Sequence, residues 1–98
     1  MLEPISFFSN RWLTTILIDS NTVGFSSGEL RLVLEKNNIE SRPLWKPMHL
    51  QPVFSEYSHF ENGVSEDLFQ RGLCLPSGSS MTDSHLDRII NIIYDLLK

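Results

Sequence analysis

Arg11-Trp12-Leu13-Thr14-Thr15-Ile16-Leu17-Ile18-Asp19 is dense in β-branched and aromatic residues. Such side chains suit a pleated backbone, so the run predicts a strand buried on at least one face. Working outward, Asn21 to Gly24 supplies a turn. Ser26-Ser27-Gly28-Glu29 then has the serine-to-glutamate spacing of a capping box. Leu30, Val33 and Leu34 follow at helical spacing and predict an amphipathic helix to about Lys36, ended by Asn37-Asn38. Ile39 to Trp45 reads as a second extended segment, and His49 to Phe54 as one short helical turn. Ser55 to Gly63 is polar and aromatic, the composition of a surface loop. Ser65 is placed to cap a short helix over Glu66 to Arg71, with Gly72 as its stop. Leu73-Cys74-Leu75-Pro76 predicts a short strand, and Ser77 to Ser80 a Gly/Ser loop. Thr82 is placed to cap a final helix to Lys98, with Leu86, Ile89, Ile90, Ile93, Leu96 and Leu97 on its apolar face. The order β-α-β, irregular middle, α-β-α predicts an α+β domain. Its small sheet is expected to be covered on one face by the 26–36 and 82–98 helices.

The chain of 98 residues is the size of one small domain, taken as 1–98. Its hydrophobic content of 41% and charged content of 20% are those of a chain that folds. The net charge of −4, with cations scattered among twelve acids, argues against nucleic-acid binding, which calls for a basic stripe. No apolar run approaches the roughly 20 residues a membrane helix needs. Met1-Leu2-Glu3-Pro4 has no basic region or small-residue cleavage pattern, so no signal peptide is expected. The single cysteine, Cys74, excludes an intrachain disulfide and fits a reducing, cytoplasmic setting.

Ser41-Arg42-Pro43-Leu44-Trp45-Lys46-Pro47-Met48-His49-Leu50-Gln51 carries the candidate chemistry. Its prolines fix φ and push the preceding residues toward extended backbone, making a stiff display. Arg42, Trp45, Lys46 and His49 together suit an anionic, ring-bearing ligand, with cations for charge and rings for stacking. The plain alternative makes Trp45 a core residue, Arg42 half of an ion pair and Lys46 a solvated cation. His49, His59 and His85 lack ligand-like spacing and have no cysteine pair beside them, so no metal site is expected. Cys74 between two leucines reads as a buried structural thiol rather than a nucleophile. Ser77-Gly78-Ser79-Ser80 offers backbone amides to a phosphate, but no P-loop lysine follows, and a turn explains it. Asp83, Asp87 and Asp95 read as helix-start and solvent-face acids rather than as catalytic carboxylates.

Four pieces in order carry a family resemblance. They are Asn10-Arg11-Trp12-Leu13, the run from Glu40 to Pro52, Phe69-Gln70-Arg71-Gly72-Leu73-Cys74-Leu75-Pro76-Ser77-Gly78, and Met81-Thr82 with Asp83 to Ile90. From Asn10 onward the chain resembles the C-terminal part of the DegT/DnrJ/StrS sugar-nucleotide aminotransferases. The central run most resembles the subgroup acting on UDP-linked 4-keto sugars in pilin or protein glycosylation. The resemblance implies the small C-terminal domain of a fold-type I enzyme dependent on pyridoxal phosphate (PLP), which closes over a site built by a large domain. That large domain would hold the Schiff-base lysine, the acid for the pyridine nitrogen and the phosphate site. The 98 residues depart from the family pattern in lacking it. Lys36, Lys46 and Lys98 do not stand in the catalytic-lysine context, so no cofactor is expected on this chain alone.

The resemblance further implies that Trp45, Lys46 and His49, with Arg42, contact a nucleotide-sugar substrate. The expected partners are the large catalytic domain and a second copy in a homo-oligomer. The alternative is a non-enzymatic α+β module that binds another protein through its exposed surface.

Overall fold

The computed structural model describes residues 3–98. Strand β1 covers Thr14–Leu17, the middle of the β-branched run, but is not the buried strand expected. It is an edge strand whose side chains are exposed except for half-buried Ile16, and burial comes only at Ile18 just beyond it. Asp19 then caps a single helical turn, α1 (Ser20–Val23), that replaces the expected plain turn. The Asp19 carboxylate accepts from the Thr22 hydroxyl at 2.7 Å and from the Asn21 N–H at 3.2 Å. Gly24 ends the turn at φ 81°, a left-handed conformation that glycine adopts without a Cβ penalty.

Helix α2 (Ser27–Lys36) starts at the expected capping box. The Ser26 hydroxyl accepts from the Glu29 N–H at 3.2 Å, and Glu29 accepts from the Ser26 N–H at 2.7 Å. The Ser26 N–H foremost, and then the Ser26 hydroxyl, which donates to Oε2 at 2.8 Å, hold the Glu29 carboxyl below its ordinary value. Its folded pKa is therefore the lower one. The stabilisation is complete above the ordinary carboxylate range and is lost as pH falls through the depressed value.

Strand β2 is only Arg42–Pro43. Proline has no N–H to give a ladder, so it is confined to an edge, and β2 is an edge strand. Two 3-10 turns, Met48–Leu50 and Pro52–Phe54, stand where one helical turn was expected. Helix α3 (Val64–Arg71) begins two residues earlier than its sequence signal. Gly63, at φ 79°, is the cap, and Ser65 lies inside the first turn. Strand β3 (Gly72–Leu75) follows without a linker, and α4 spans Asp83–Leu96 behind Thr82.

The sheet order is β1-β3-β2, with both neighbours antiparallel to β3. The register sets Ile16 opposite Leu73 and Thr14 opposite Leu75. Leu73 joins Leu30 and Leu34 of α2 and Ile89 of α4 in the buried core, with Ile18, Phe25 and Ile39. Leu30, Leu34 and Leu73 are the most deeply buried large side chains. Each contributes about 1.5–3 kcal/mol by leaving water. The expected small sheet under α2 and α4 is thus the observed one. The predicted apolar face of α4 is wider than the core, so Leu86, Ile90 and Leu97 stay exposed while Ile92, Ile93 and Leu96 pack. Among the described residues, no helix is long and apolar enough to cross a membrane.

A set of large apolar side chains remains outside this core. Ile5 is 94% exposed and Phe8 91%, and Phe7, Trp12, Trp45 and Met48 are also open to solvent. Leu2, which the sequence would add to this set, lies outside the described residues. Exposed apolar surface of this extent drives association when nothing covers it. The chain on its own is therefore expected to self-associate as concentration rises, and Phe7→Ser with Phe8→Ser to reduce the effect. Light scattering over a dilution series checks this; a strict monomer throughout would count against an uncovered interface.

Candidate functional site

The display leaves the sheet at β2 and is anchored at once. Leu44 lies against Gly72, so close that a Cβ there would stand 2.7 Å from Leu44 Cγ. Pinning Leu44 inward turns its neighbour Trp45 outward, where it is 67% exposed. The Trp45 ring meets Trp12 at a tilted 44°, with centroids 6.1 Å apart, within the range of favourable aromatic pairs. Trp45 is therefore a surface residue and not a core one.

Trp12 and Trp45 border an open groove of about 1410 Å³. Arg31, Arg42 and Arg88 also line it, with Glu35 and Glu40. Arg42 donates through Nη2 to Glu40 Oε1 at 2.6 Å, and through Nε at 2.8 Å. Both partners are largely exposed, so the pair is worth little and Arg42 is free to exchange it for another anion. Arg31 pairs with Glu35 at 3.2 Å, and Arg88 donates to the Asn37 carbonyl. Ser41 Oγ is a buried hydroxyl with no hydrogen-bond partner among the described residues, and Ser41 lines the groove. Cys74 also lines it, buried, and burial pushes its thiol pKa up. A raised pKa keeps it protonated and inert, the state of a structural thiol. The Ser77 hydroxyl donates to the Trp12 carbonyl at 3.0 Å and ties the Gly/Ser loop to the groove wall.

The far half of the display turns away from this groove. Lys46 is exposed, and its carbonyl accepts from Gln51 Nε2 at 3.2 Å. The His49 side chain is only 11% exposed, with Nε2 at 2.8 Å from Glu66 Oε1 on α3. Its ring stacks on His59 at 4.6 Å and 13°. The four residues singled out from sequence therefore do not converge. Arg42 and Trp45 line the groove, Lys46 is exposed outside its lining, and His49 is tethered to α3. His85, on the groove side, offers Nδ1 to the Thr82 N–H at 3.3 Å, which requires an unprotonated Nδ1. Sequence reasoning passed over Trp12, Arg31 and Arg88 as site residues. Trp12 stood in the resemblance-carrying run, whereas Arg31 and Arg88 reach the groove only through tertiary packing.

The three lysines do not meet the needs of PLP. Lys36, Lys46 and Lys98 are all exposed, and Lys98 is paired with Asp95 at 2.9 Å. None of them lines the groove. PLP needs a lysine, a pyridine-nitrogen partner and a phosphate cradle held together. The residues present do not fit that group.

The model of the DegT/DnrJ/EryC1/StrS aminotransferase family matches residues 5–94. A Bacillus subtilis (strain 168) protein, provisionally named pyridoxal phosphate-dependent aminotransferase EpsN, is 50% identical over 98% of this chain and 25% of its own length. GDP-perosamine synthase of Vibrio cholerae is 35% identical over 93% of this chain and 25% of its own. A crystal structure of a DegT DnrJ EryC1 StrS aminotransferase from Brucella abortus superposes with a TM-score of 0.69. It is 28% identical, covering 85% of this chain and 21% of that one. The chain spans about a quarter of the length of the curated relatives it matches.

Proposed function

We propose, from the premise that this chain belongs to the DegT/DnrJ/EryC1/StrS aminotransferase family, that it is the C-terminal, substrate-enclosing domain of a longer PLP-dependent enzyme. That enzyme would move an amino group, by family analogy from glutamate, onto a nucleotide-linked keto sugar. The carrying observation is the pairing of near-complete coverage of this chain with a quarter of each relative's length. A name such as GDP-perosamine synthase supports the nucleotide-sugar class. The likeness of the run from Glu40 to Pro52 to the pilin or protein glycosylation subgroup extends the proposal to that use, in the cytoplasm.

In this reading PLP supplies the carbanion chemistry and is held by the rest of the enzyme. The present residues bind and enclose the substrate. Trp45 offers a ring face to the base or sugar, and Lys46 an uncommitted cation to the diphosphate. Arg42 exchanges Glu40 for a substrate anion, and His49, tethered to Glu66, holds the far end of the display in place for that contact. The exposed apolar set is where the large domain or a second copy would pack.

The test on the chain itself uses added PLP, borohydride reduction and peptide mapping. The expected result is scattered, slow labelling of surface lysines. One lysine labelled stoichiometrically would overturn the division of labour. The same chain capturing a protein partner, while the longer polypeptide lacks amino transfer, would favour the interaction-module reading instead.

A further inference from the structure

We propose that His49, Glu61 and Glu66 form a site for one divalent cation of the zinc class. Their ligand atoms, one imidazole nitrogen and two carboxylate oxygens, all lie within 4.8 Å of one another. They come from three separate parts of the fold: the first 3-10 turn, the loop before α3, and the first turn of α3. Histidine spacing could not register such a set, because two of its three members are glutamates brought in by folding.

The geometry is close to what an ion requires. Metal–ligand bonds of about 2.0–2.2 Å place tetrahedral donors roughly 3.3–3.6 Å apart. His49 Nε2 and Glu66 Oε1 are now 2.8 Å apart, as a hydrogen bond, and would open by less than an ångström. Exposed Glu61 would close in from the solvent side by rotation of its flexible stem. One Glu61 oxygen, Oε2, is already oriented by the Gly63 N–H at 2.5 Å. Outer contacts of this kind hold ligands in place. The His49 ring is held by its stack on His59 and is mostly out of water.

Charge favours a cation here. Glu61 and Glu66 bring two carboxylates to His49, and neither has a lysine or arginine partner among the described residues, whereas the neighbouring Asp67 is paired with Arg71. Two carboxylates neutralise a divalent ion. The imidazole nitrogen selects zinc over magnesium and calcium, which prefer all-oxygen shells. On binding, the imidazole coordinates as the tautomer whose N–H is on Nδ1, so the Nε2 lone pair goes to the ion and the hydrogen bond to Glu66 is replaced by two metal–ligand bonds. The ion would pin the far end of the display, past Lys46, to α3. The inference stands apart from the aminotransferase reading, because its readout is metal binding by the chain itself.

The experiment is calorimetric titration of the chain with zinc chloride, with magnesium and calcium chlorides in parallel. The expected result is one zinc per chain and no comparable binding of magnesium or calcium. Glu61→Gln, at an exposed position, should fold normally and weaken zinc binding at least tenfold; Glu66→Gln should do the same. His85→Ala should leave it unchanged. Cobalt chloride should give visible absorption bands in the wild type and not in Glu61→Gln. Zinc binding that is absent, or equal in wild type and Glu61→Gln, would overturn the site and leave His49–Glu66 as a hydrogen-bonded clasp only.

Discussion

Gly72→Ala should cost the chain about 3 kcal/mol of stability, at the upper end of what overpacking a close-packed site costs. The backbone at Gly72 is ordinary, with φ −86°, so the reason is space and not strain. A Cβ there would overlap both the Leu44 side chain and the Leu68 carbonyl oxygen. Leu44 can shift, but the Leu68 carbonyl belongs to α3 and accepts the Gly72 N–H as the helix ends. Displacing that carbonyl means moving α3 relative to the central strand. A domain of this length has about 5–15 kcal/mol in total, and each kcal/mol shifts its midpoint by about 4–8 °C. A loss of roughly 10–25 °C in Tm is therefore expected. Leu44→Ala in the same chain should recover only part of it, because the carbonyl clash remains. Urea denaturation of the single and double variants gives the numbers. Wild-type stability in Gly72→Ala would mean that Leu44 does not pack over the strand and that the display is not anchored as described.

Much of the fold was legible because its signals are local. The β-branched run from Arg11 to Asp19 and the Ser26–Glu29 box act within a few residues. The box starts α2 as expected, while the run forms a strand over Thr14–Leu17 only, at the sheet edge and largely exposed rather than buried on a face. Shorter features escaped. Asp19 caps a helical turn that Asn21 and Gly24 disguised as a plain loop. Gly63 starts α3 through its positive φ, which outcompeted the serine signal at Ser65. β2 shrank to two residues because Pro43 cannot extend a ladder. On α4 the apolar stripe was read correctly as a stripe. How much of it packs depends on the width of α2 and the sheet beneath, which periodicity does not contain.

The site was legible in composition and not in arrangement. The backbone is extended at Arg42–Pro43 and coils into a 3-10 turn from Met48, so the display is extended only in its first half, and Trp45 and Lys46 face solvent. The pairing of Trp45 with Trp12 crosses the chain from the far side of α2, and the tether of His49 to Glu66 crosses the irregular middle. Contacts at that separation have no local pattern to reveal them. The plain reading of Arg42 as an ion-paired surface residue describes its resting state with Glu40.

The second large effect concerns the proposed full-length enzyme, in which Trp45→Ala, Lys46→Ala and His49→Ala should each impair use of the sugar nucleotide. Lys46 has no acid partner among the described residues, so its charge is available to a diphosphate. Loss of one charge-assisted contact costs roughly 1.5–3 kcal/mol, or about 10- to 150-fold in kcat/KM. Trp45→Ala removes a stacking face together with the support of Trp12. His49→Ala releases the display from α3, so kcat should fall along with affinity if the segment also closes over the substrate. Arg42→Ala should matter less, since Glu40 already competes for its guanidinium.

The central claim is that this chain handles the substrate while the cofactor chemistry resides elsewhere in the enzyme. Its most direct measurement is the steady-state kinetics of Lys46→Ala, with PLP occupancy determined on the same sample. The predicted result is kcat/KM for the sugar nucleotide reduced about 10-fold or more, from loss of a charge-assisted contact, with full PLP occupancy. Unchanged kcat/KM, or a collapse of PLP occupancy, would contradict it.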